Sequence, residues 1–420
     1  MEIYILDDLL RPIDLIDDDQ FISFIWTERY AERGDFQLVA PSTVSMKNRF
    51  PTDTLIQIPD SKRIMRVNSI DEVVDVEKGA VLTIKGYELV YILEQRVSAS
   101  KESGGGHDGM LRAVTYFNGL SPLTLINEMV WRMCVPSGGW AISPGDYIPF
   151  LNDYHTTPGS LYPASNIPEP SPGGILWEQK LASLYSAVTD VAKAYDVGFR
   201  LYKDPNAAKL YFESYNGVDR TTAQTMYPPV IFSSDMDNLV NTSEYIDNLA
   251  EFNIVIVVYT YKNPTEGDLP ETLTLTGVAV APELTFSSGG FDQKSKVMTI
   301  TQLPEGMTDP YDIHDYLVQV AQEELTRSRP IDVYDGEIDP NGGYLYERDY
   351  NLGDIVEVRA NNGGGAYMRV AEQIIKFDGN GKASYPSLVT KQSILPGTWK
   401  SWKYDVNWND FGSDEYWSDQ

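Results

Sequence analysis

From its start to about residue 98 the chain alternates apolar and polar positions with the two-residue period of strands. QFISFIWTERY (20–30) alternates through Phe21, Ser23 and Ile25, and GDFQLVAP (34–41) begins at a glycine turn and stops at a proline. AVLTIKGYELVYILEQRV (80–97) reads as the strand that closes this first unit. The polar, Gly-rich SASKESGGGHDGM (98–110) then reads as a loop or linker. In SPLTLINEMVWRMC a serine cap is followed by proline at the first helical position, and Leu123, Ile126, Val130 and Met133 share one face, which predicts a helix. Residues 136–173 hold eight prolines and predict a long irregular excursion. Trp177, Leu181, Leu184, Val188, Val191 and Tyr195, four and three apart, predict a helix over 175–196. Strand patterns resume with GFRLYKDPNAAKLYFESY, NIVIVVYTY and ETLTLTGVAVA. A further amphipathic helix (Ile313, Leu317, Val320, Leu325) runs to Pro330, where proline stops it.

After that helix an earlier pattern returns. TDTLIQIPDSKRIMRVNSIDEVV (52–74) and DYNLGDIVEVRA followed by MRVAEQIIKF share an Asp and a Leu, an alternating strand, a polar turn and Met-Arg-Val. Leu55, Ile56 and Ile58 correspond to Ile355, Val356 and Val358. Met65-Arg66-Val67 corresponds to Met368-Arg369-Val370, across a hairpin longer by three residues. The sequence predicts that strands 53–58 and 353–358 are equivalent, as are 63–70 and 366–376.

Composition limits what such a chain does. Its 420 residues exceed one ordinary domain, and a hydrophobic content of 42% is ample for packed cores. The acidic N-terminus lacks the basic region of a signal peptide, and the longest apolar run, FNIVIVVYTY (252–261), is about half of the ~20 residues a membrane helix needs, so a soluble protein is expected. A net charge of −28 argues against a phosphate-binding surface, since nucleic-acid affinity comes from Lys and Arg. Cys134 is the single cysteine, so no internal disulfide exists, and its place on an apolar helix face suits a buried, inert thiol. His107, His155 and His314 show no metal spacing, and no nucleophile elbow, phosphate loop or dinucleotide fingerprint is present. With 61 acidic residues a close carboxylate pair arises by chance, which is no positive sign of catalysis. We expect no enzyme, no cofactor and no metal.

The last 25 residues hold four of the eight tryptophans: Trp399, Trp402, Trp408 and Trp417. Their spacing fits neither helix nor strand, and Pro396-Gly397 uncouples them from what precedes. They are the candidate partner-binding residues, aromatic anchors for a neighbouring surface; an arm packed on its own chain is the other reading.

Three stretches carry a resemblance: RGDFQLVAP with LIQIPDSKRIMRV; FESYNGVDRTTAQTMYPPVIFSSDMDNL; and DYNLGDIVEV with MRVAEQII. Together, over about 1–100, 175–260 and 310–390, the chain resembles the tail-hub (tail-tip, minor tail) proteins of long-tailed phages, which are related to the baseplate hub of contractile tails. The Pro-rich excursion and the Trp-rich arm depart from that pattern. The resemblance implies an α+β, mainly β chain with two related β-barrel-like hub domains and inserted α/β domains. The divisions expected are a first hub domain over 1–100, an inserted domain with helices and a Pro/Gly-rich loop over 101–205, a β-rich domain over 206–309, a second hub domain over 310–395 and the arm, 396–420. It also implies a homotrimeric ring that adapts a sixfold tail tube to the tip. Its partners would be the distal tail protein, the tape measure protein and other tip or fibre proteins. Genomic DNA would pass through an acidic lumen without specific binding, in a virion tail tip whose parts are made in the host cytoplasm. The aromatic content of 12% supports an alternative, a receptor- or carbohydrate-binding tip protein. A cell-wall hydrolase rests only on abundant carboxylates and on the tail-tip location of the resembled family.

Overall fold

The computed structural model describes residues 1–75, 79–98, 114–152, 175–238, 240–247, 252–262, 272–281, 293–304, 307–328, 331–337, 343–359 and 365–390. The first unit is built from strands Ile3–Leu6 (β1), Pro12–Ile16 (β2), Ser23–Arg29 (β3) and Asp35–Pro41 (β4), then Leu55–Gln57 (β5), Met65–Asp75 (β6) and Gly79–Glu88 (β7). Between β4 and β5 lies the short helix Val44–Arg49 (α1), whose cap Thr43 accepts a hydrogen bond from the Met46 N–H. Alternation does what the pattern requires. Phe24 and Trp26 of β3 and Phe36 and Leu38 of β4 are buried, while Ile25 between them is exposed. The strand expected over 80–97 ends early, at Glu88, and Leu89–Gln95 form a 3-10 turn. Leu89, Val90 and Leu93 follow a helical period and face the next layer rather than continuing the sheet.

That layer comprises Val97–Ser98 (β8), Val114–Leu120 (β9), helix Pro122–Cys134 (α2), Ile175–Lys180 (β10), Ala182–Ser183 (β11), helix Leu184–Tyr195 (α3) and the hairpin Gly198–Lys203 (β12) and Leu210–Tyr215 (β13). α2 begins as the sequence predicts, with Ser121 accepting from the Thr124 N–H and Pro122 in the first turn. The helix predicted over 175–196 is shorter. Residues 175–180 are a strand paired antiparallel with β9, and Trp177 is buried from that strand, not from a helix. The helix starts after Ser183, whose hydroxyl accepts from the Ser186 N–H, and Leu181 is exposed. Leu184, Val188 and Val191 of α3 and Leu125, Met129 and Met133 of α2 form one core, each fully buried side chain contributing roughly 1.5–3 kcal/mol.

The remaining strands are Ile231–Ser233 (β14), Val240–Asp247 (β15), Ile254–Lys262 (β16), Thr272–Val280 (β17) and Ser295–Thr299 (β18). Helix Pro310–Arg327 (α4) follows, then Ile331–Glu337 (β19), Ile355–Arg359 (β20), Gly365–Asp378 (β21) and Gly381–Thr390 (β22). β16 is central in a three-stranded sheet, and Val255 and Val257 pack on Ile313, Leu317 and Leu325 of α4. The helix rides close over Gly277, where an added Cβ would lie 2.1 Å from the Leu317 backbone.

Thirteen strands share the main sheet, in the order β15-β19-β22-β21-β3-β4-β7-β6-β5-β1-β2, with β20 pairing β21 and the parallel strand β14. The chain is mainly β with some helices, as expected, but the sheet does not close into barrels. Strands of both units run on into one open sheet, because the edge of β21 that would turn back on its own unit is taken by β3.

The repeat is present in the hydrogen-bonding register. Leu55 lies opposite Arg66 and Ile56 opposite Met65; Ile355 lies opposite Arg369 and Val356 opposite Met368. Each unit has a β-bulge at the same place, after Val67 and after Val370. Each enters its first strand through a left-handed residue, Asp53 (φ 75°) and Gly353 (φ 89°). The Asp53 N–H donates to the Val67 carbonyl at 2.9 Å, and the Gly353 N–H to the Val370 carbonyl at 2.8 Å.

Candidate functional site: the seam between the two strand units

The two units meet where β21 pairs antiparallel with β3, from Glu372 opposite Arg29 to Phe377 opposite Phe24. This seam is apolar on one face. Ile375 and Phe377 of β21 join Phe21, Phe24 and Trp26, so a strand from the C-terminal unit completes the N-terminal core. The other end of the seam is polar. Arg29 donates to Glu372 at 2.5 Å and to Asp35 at 2.5 Å. Burial weakens the Arg29 charge, but the hydrogen bonds to Asp35 and Glu372 outweigh it and hold its pKa above the ordinary value.

Beneath the seam sits a fully buried ionic cluster. Arg63 donates to Glu88 at 2.8 Å and lies 3.3 Å from Glu28. Glu28 also accepts from the Trp26 indole at 3.1 Å, from the Tyr346 hydroxyl at 2.8 Å and from Ser61. Burial pushes the Glu88 carboxyl up, while Arg63 and the Gly34 N–H, 3.0 Å away, draw it down. An ion pair this dry adds little net stability, yet removing one partner strands the other. Because Tyr346 comes from the second unit and Arg63 from the first, the cluster fixes how the units sit together.

A second clasp ties the intervening layer to the C-terminal unit. It is built from the sequence NGVDR: Gly217 approaches Gly353 so closely that a Cβ would lie 1.8 Å from the Gly353 carbonyl oxygen. Asp354 accepts from the Val218 N–H at 2.9 Å and from Arg220 at 2.7 Å. PPVIFS then lays β14 parallel to β20. Arg369 donates to the Gly353 carbonyl and to Asp196 at the end of α3, with its guanidinium 5.0 Å from the Tyr30 ring. In these clusters each carboxylate accepts from a cation or a backbone donor, so the arrangement locks elements together.

The predicted partner-binding residues Trp399, Trp402, Trp408 and Trp417 lie outside the described residues, as do His107 and His155. His314 sits on α4, its Nδ1 2.9 Å from the Thr276 carbonyl. Cys134 is buried, and burial pushes its thiol up to about 12, which keeps it protonated and unreactive at neutral pH. Among the described residues no cluster of His, Cys, Asp or Glu could hold a metal ion, and no helix is long and apolar enough to cross a membrane. An open cleft of about 370 Å³ lies beside the seam, lined by Arg29, Glu32, Arg33, Tyr87, Tyr185, Thr189 and Lys193. Its central cation is answered from within: Arg33 pairs with Glu94 at 2.6 Å and stacks over Tyr87 and Tyr91. Sequence reasoning missed the buried cluster. The only signal was a charged residue at alternate core positions, Glu28 after Phe24 and Trp26.

The match to a family model described as Siphovirus ReqiPepy6 Gp37-like protein spans residues 2–385, which takes in both strand units and everything between them. The chain belongs to this family. Among solved structures it is similar to the 43 kDa tail protein of prophage MuSo2 from Shewanella oneidensis, with a TM-score of 0.53 and 13% identity over 93% of this chain and 98% of that one. It is also similar to the tail protein from Neisseria meningitidis MC58, with a TM-score of 0.50 and 11% identity over 93% of this chain and 96% of that one. No curated protein matches the chain. The family resemblance read from the sequence therefore holds, and the chain keeps the fold of these tail proteins over nearly its whole length at low identity, mainly β as expected but without closed barrels.

Proposed function

We propose that this family member is a structural, non-enzymatic hub of the phage tail tip. In this reading three copies form a ring whose six strand units face a sixfold tail tube, and the ring bounds part of the channel through which DNA leaves. The observation that carries it is the doubled unit. Two blocks with the same register, the same bulge and a left-handed entry residue at the same place present two quasi-equivalent surfaces per chain, as a threefold-to-sixfold adaptor needs. The net charge of −28 fits a lumen that repels a polyanion. The neighbours in this reading are the distal tail protein, the tape measure protein and fibre or tip proteins, with the Trp-rich arm, 396–420, laid on one of them. Cryo-electron microscopy of assembled tails tests it: three copies at the tip, units alternating around the axis, are expected. Any other copy number, or units facing away from the tube, overturns the reading.

A further inference from the structure

The main sheet contains two four-stranded blocks laid end to end: β15-β19-β22-β21, then β3-β4-β7-β6. Position by position the blocks correspond. In the first, Val67 lies opposite Gly86, Gly86 opposite Phe36, and Phe36 opposite Trp26. In the second, Val370 lies opposite Leu388, Leu388 opposite Tyr334, and Tyr334 opposite Glu244. β6 is thus the counterpart of β21, and β15 the counterpart of β3. Within one chain the joint β21·β3 is made. Its counterpart, β6·β15, is not: the two strands stand far apart in the strand order, β15 at one end of the sheet.

Among the described residues, the part of β6 that would make this joint has no strand beside it on that edge. Past the bulge, β21 pairs β3 through Glu372–Phe377, and those residues are buried or half-buried. The matching stretch of β6, Ser69–Val74, pairs only β7 among the described residues and is exposed throughout. Ile70, Val73 and Val74 are 38%, 55% and 73% exposed. Beyond the charges of Asp71 and Glu72, this edge carries none of the lysines or prolines that soluble proteins use to guard a strand with three exposed β-branched apolar residues. The bulge is no such guard, because β21 carries the same bulge and pairs straight past it.

We infer that Ser69–Val74 of one copy adds antiparallel to the outer edge of β15 in a second copy of this chain. The joint repeats between copies the seam that β21 and β3 make within one. This rests on the proposed ring and supplies its contact. Transposing the internal register places Ser69 opposite Asp247, Ile70 opposite Ile246, Asp71 opposite Tyr245, Glu72 opposite Glu244 and Val73 opposite Ser243 of the second copy. Glu72 brings its own counter-charge to this register, since Lys47 donates to it at 2.7 Å. Main-chain hydrogen bonds supply the affinity and the matched register supplies specificity, the logic of strand addition.

The experiment is cysteine cross-linking of the full chain in a Cys134→Ser background, in the purified protein and in assembled tails, with native mass measured in parallel. Val73→Cys with Ser243→Cys is the in-register pair, and Val73→Cys with Ile246→Cys is three residues out of register. Oxidation is expected to link the first pair into dimers and trimers with at least about tenfold greater yield than the second, because disulfides tolerate only a narrow Cα separation. A trimer that shows no preference for the in-register pair overturns this joint and leaves the threefold reading standing. In-register links in an assembly that is not a trimer support the joint and overturn the threefold reading. A protein that forms no links in either setting overturns the joint outright.

Discussion

Met65-Arg66-Val67 and Met368-Arg369-Val370 have the same residues, the same strand register and the same bulge just beyond, yet their arginines do different work. Arg66 reaches a solvent-exposed Asp53 at 2.6 Å, at the surface. Arg369 is buried, donates to the Gly353 carbonyl and to Asp196 of the helical layer, and covers the Tyr30 ring. Duplication conserves backbone geometry cheaply, because register and bulge are set by main-chain hydrogen bonds. What surrounds each copy then decides which side chains become structural. The second unit is clasped by the inserted layer through its arginine, whereas the arginine of the first meets only an exposed aspartate.

The largest expected effect separates the two arginines directly. Arg369→Ala removes a buried guanidinium that holds the Gly353 carbonyl, Asp196 and the Tyr30 ring together and should lower stability by roughly 3–5 kcal/mol, whereas Arg66→Ala at an exposed pair should cost under about 1 kcal/mol. Urea titration of the two variants measures this, and equal losses would dissolve the contrast. Next come the left-handed entry residues. Gly353→Ala adds a Cβ that would lie 2.2 Å from the Tyr30 ring at a φ of 89°, a change expected to cost roughly 2–4 kcal/mol. Asp53→Gly, which removes a side chain from the same conformation, should stay within about 1 kcal/mol of the parent in thermal melts. The smallest pair concerns the large side chains ahead of each entry turn. Tyr350 donates to the buried Gln373 at 2.9 Å, so Tyr350→Phe should cost about 1–2 kcal/mol, most of it from the stranded amide. Phe50, its fully buried counterpart, lies in an apolar cluster, and Phe50→Tyr should cost a similar amount by burying a hydroxyl there. If either exchange is neutral, the two sites are more alike than their surroundings imply.

The recurrence of Met-Arg-Val and its flanking strands was legible in the sequence because a period of two and a three-residue signature survive duplication. The bulges at Asn68 and Ala371 were not, since neither position carries a glycine or another residue that a bulge demands. The kinship of β15 and β19 with β3 and β4 was hidden for a different reason. A tight hairpin in the first unit is replaced in the second by the whole segment carrying β16–β18 and α4, so the paired strands are no longer neighbours in sequence. Trp177 and Leu181 fell by accident on the helical period of the residues after them. The serine cap at Ser183 was the better guide, because a cap fixes a helix start where periodicity alone cannot. Of the candidate site, the NGVDR and NLGD stretches were visible as motifs, but their mutual contact depends on two backbones touching at Gly217 and Gly353, and no pattern along one chain encodes that.

The seam joins Arg29 to Glu372, 343 residues apart. A growing polypeptide emerges from the ribosome N-terminus first, and its early domains ordinarily fold while later ones are still being made. Without β21 the first core has a gap where Ile375 and Phe377 belong, so the strands of that unit wait for one made hundreds of residues later. Such a long-range closure is slow, and until it is made the β3 edge stands open to any passing strand. The order of synthesis thereby sets how long the first unit stays unfinished.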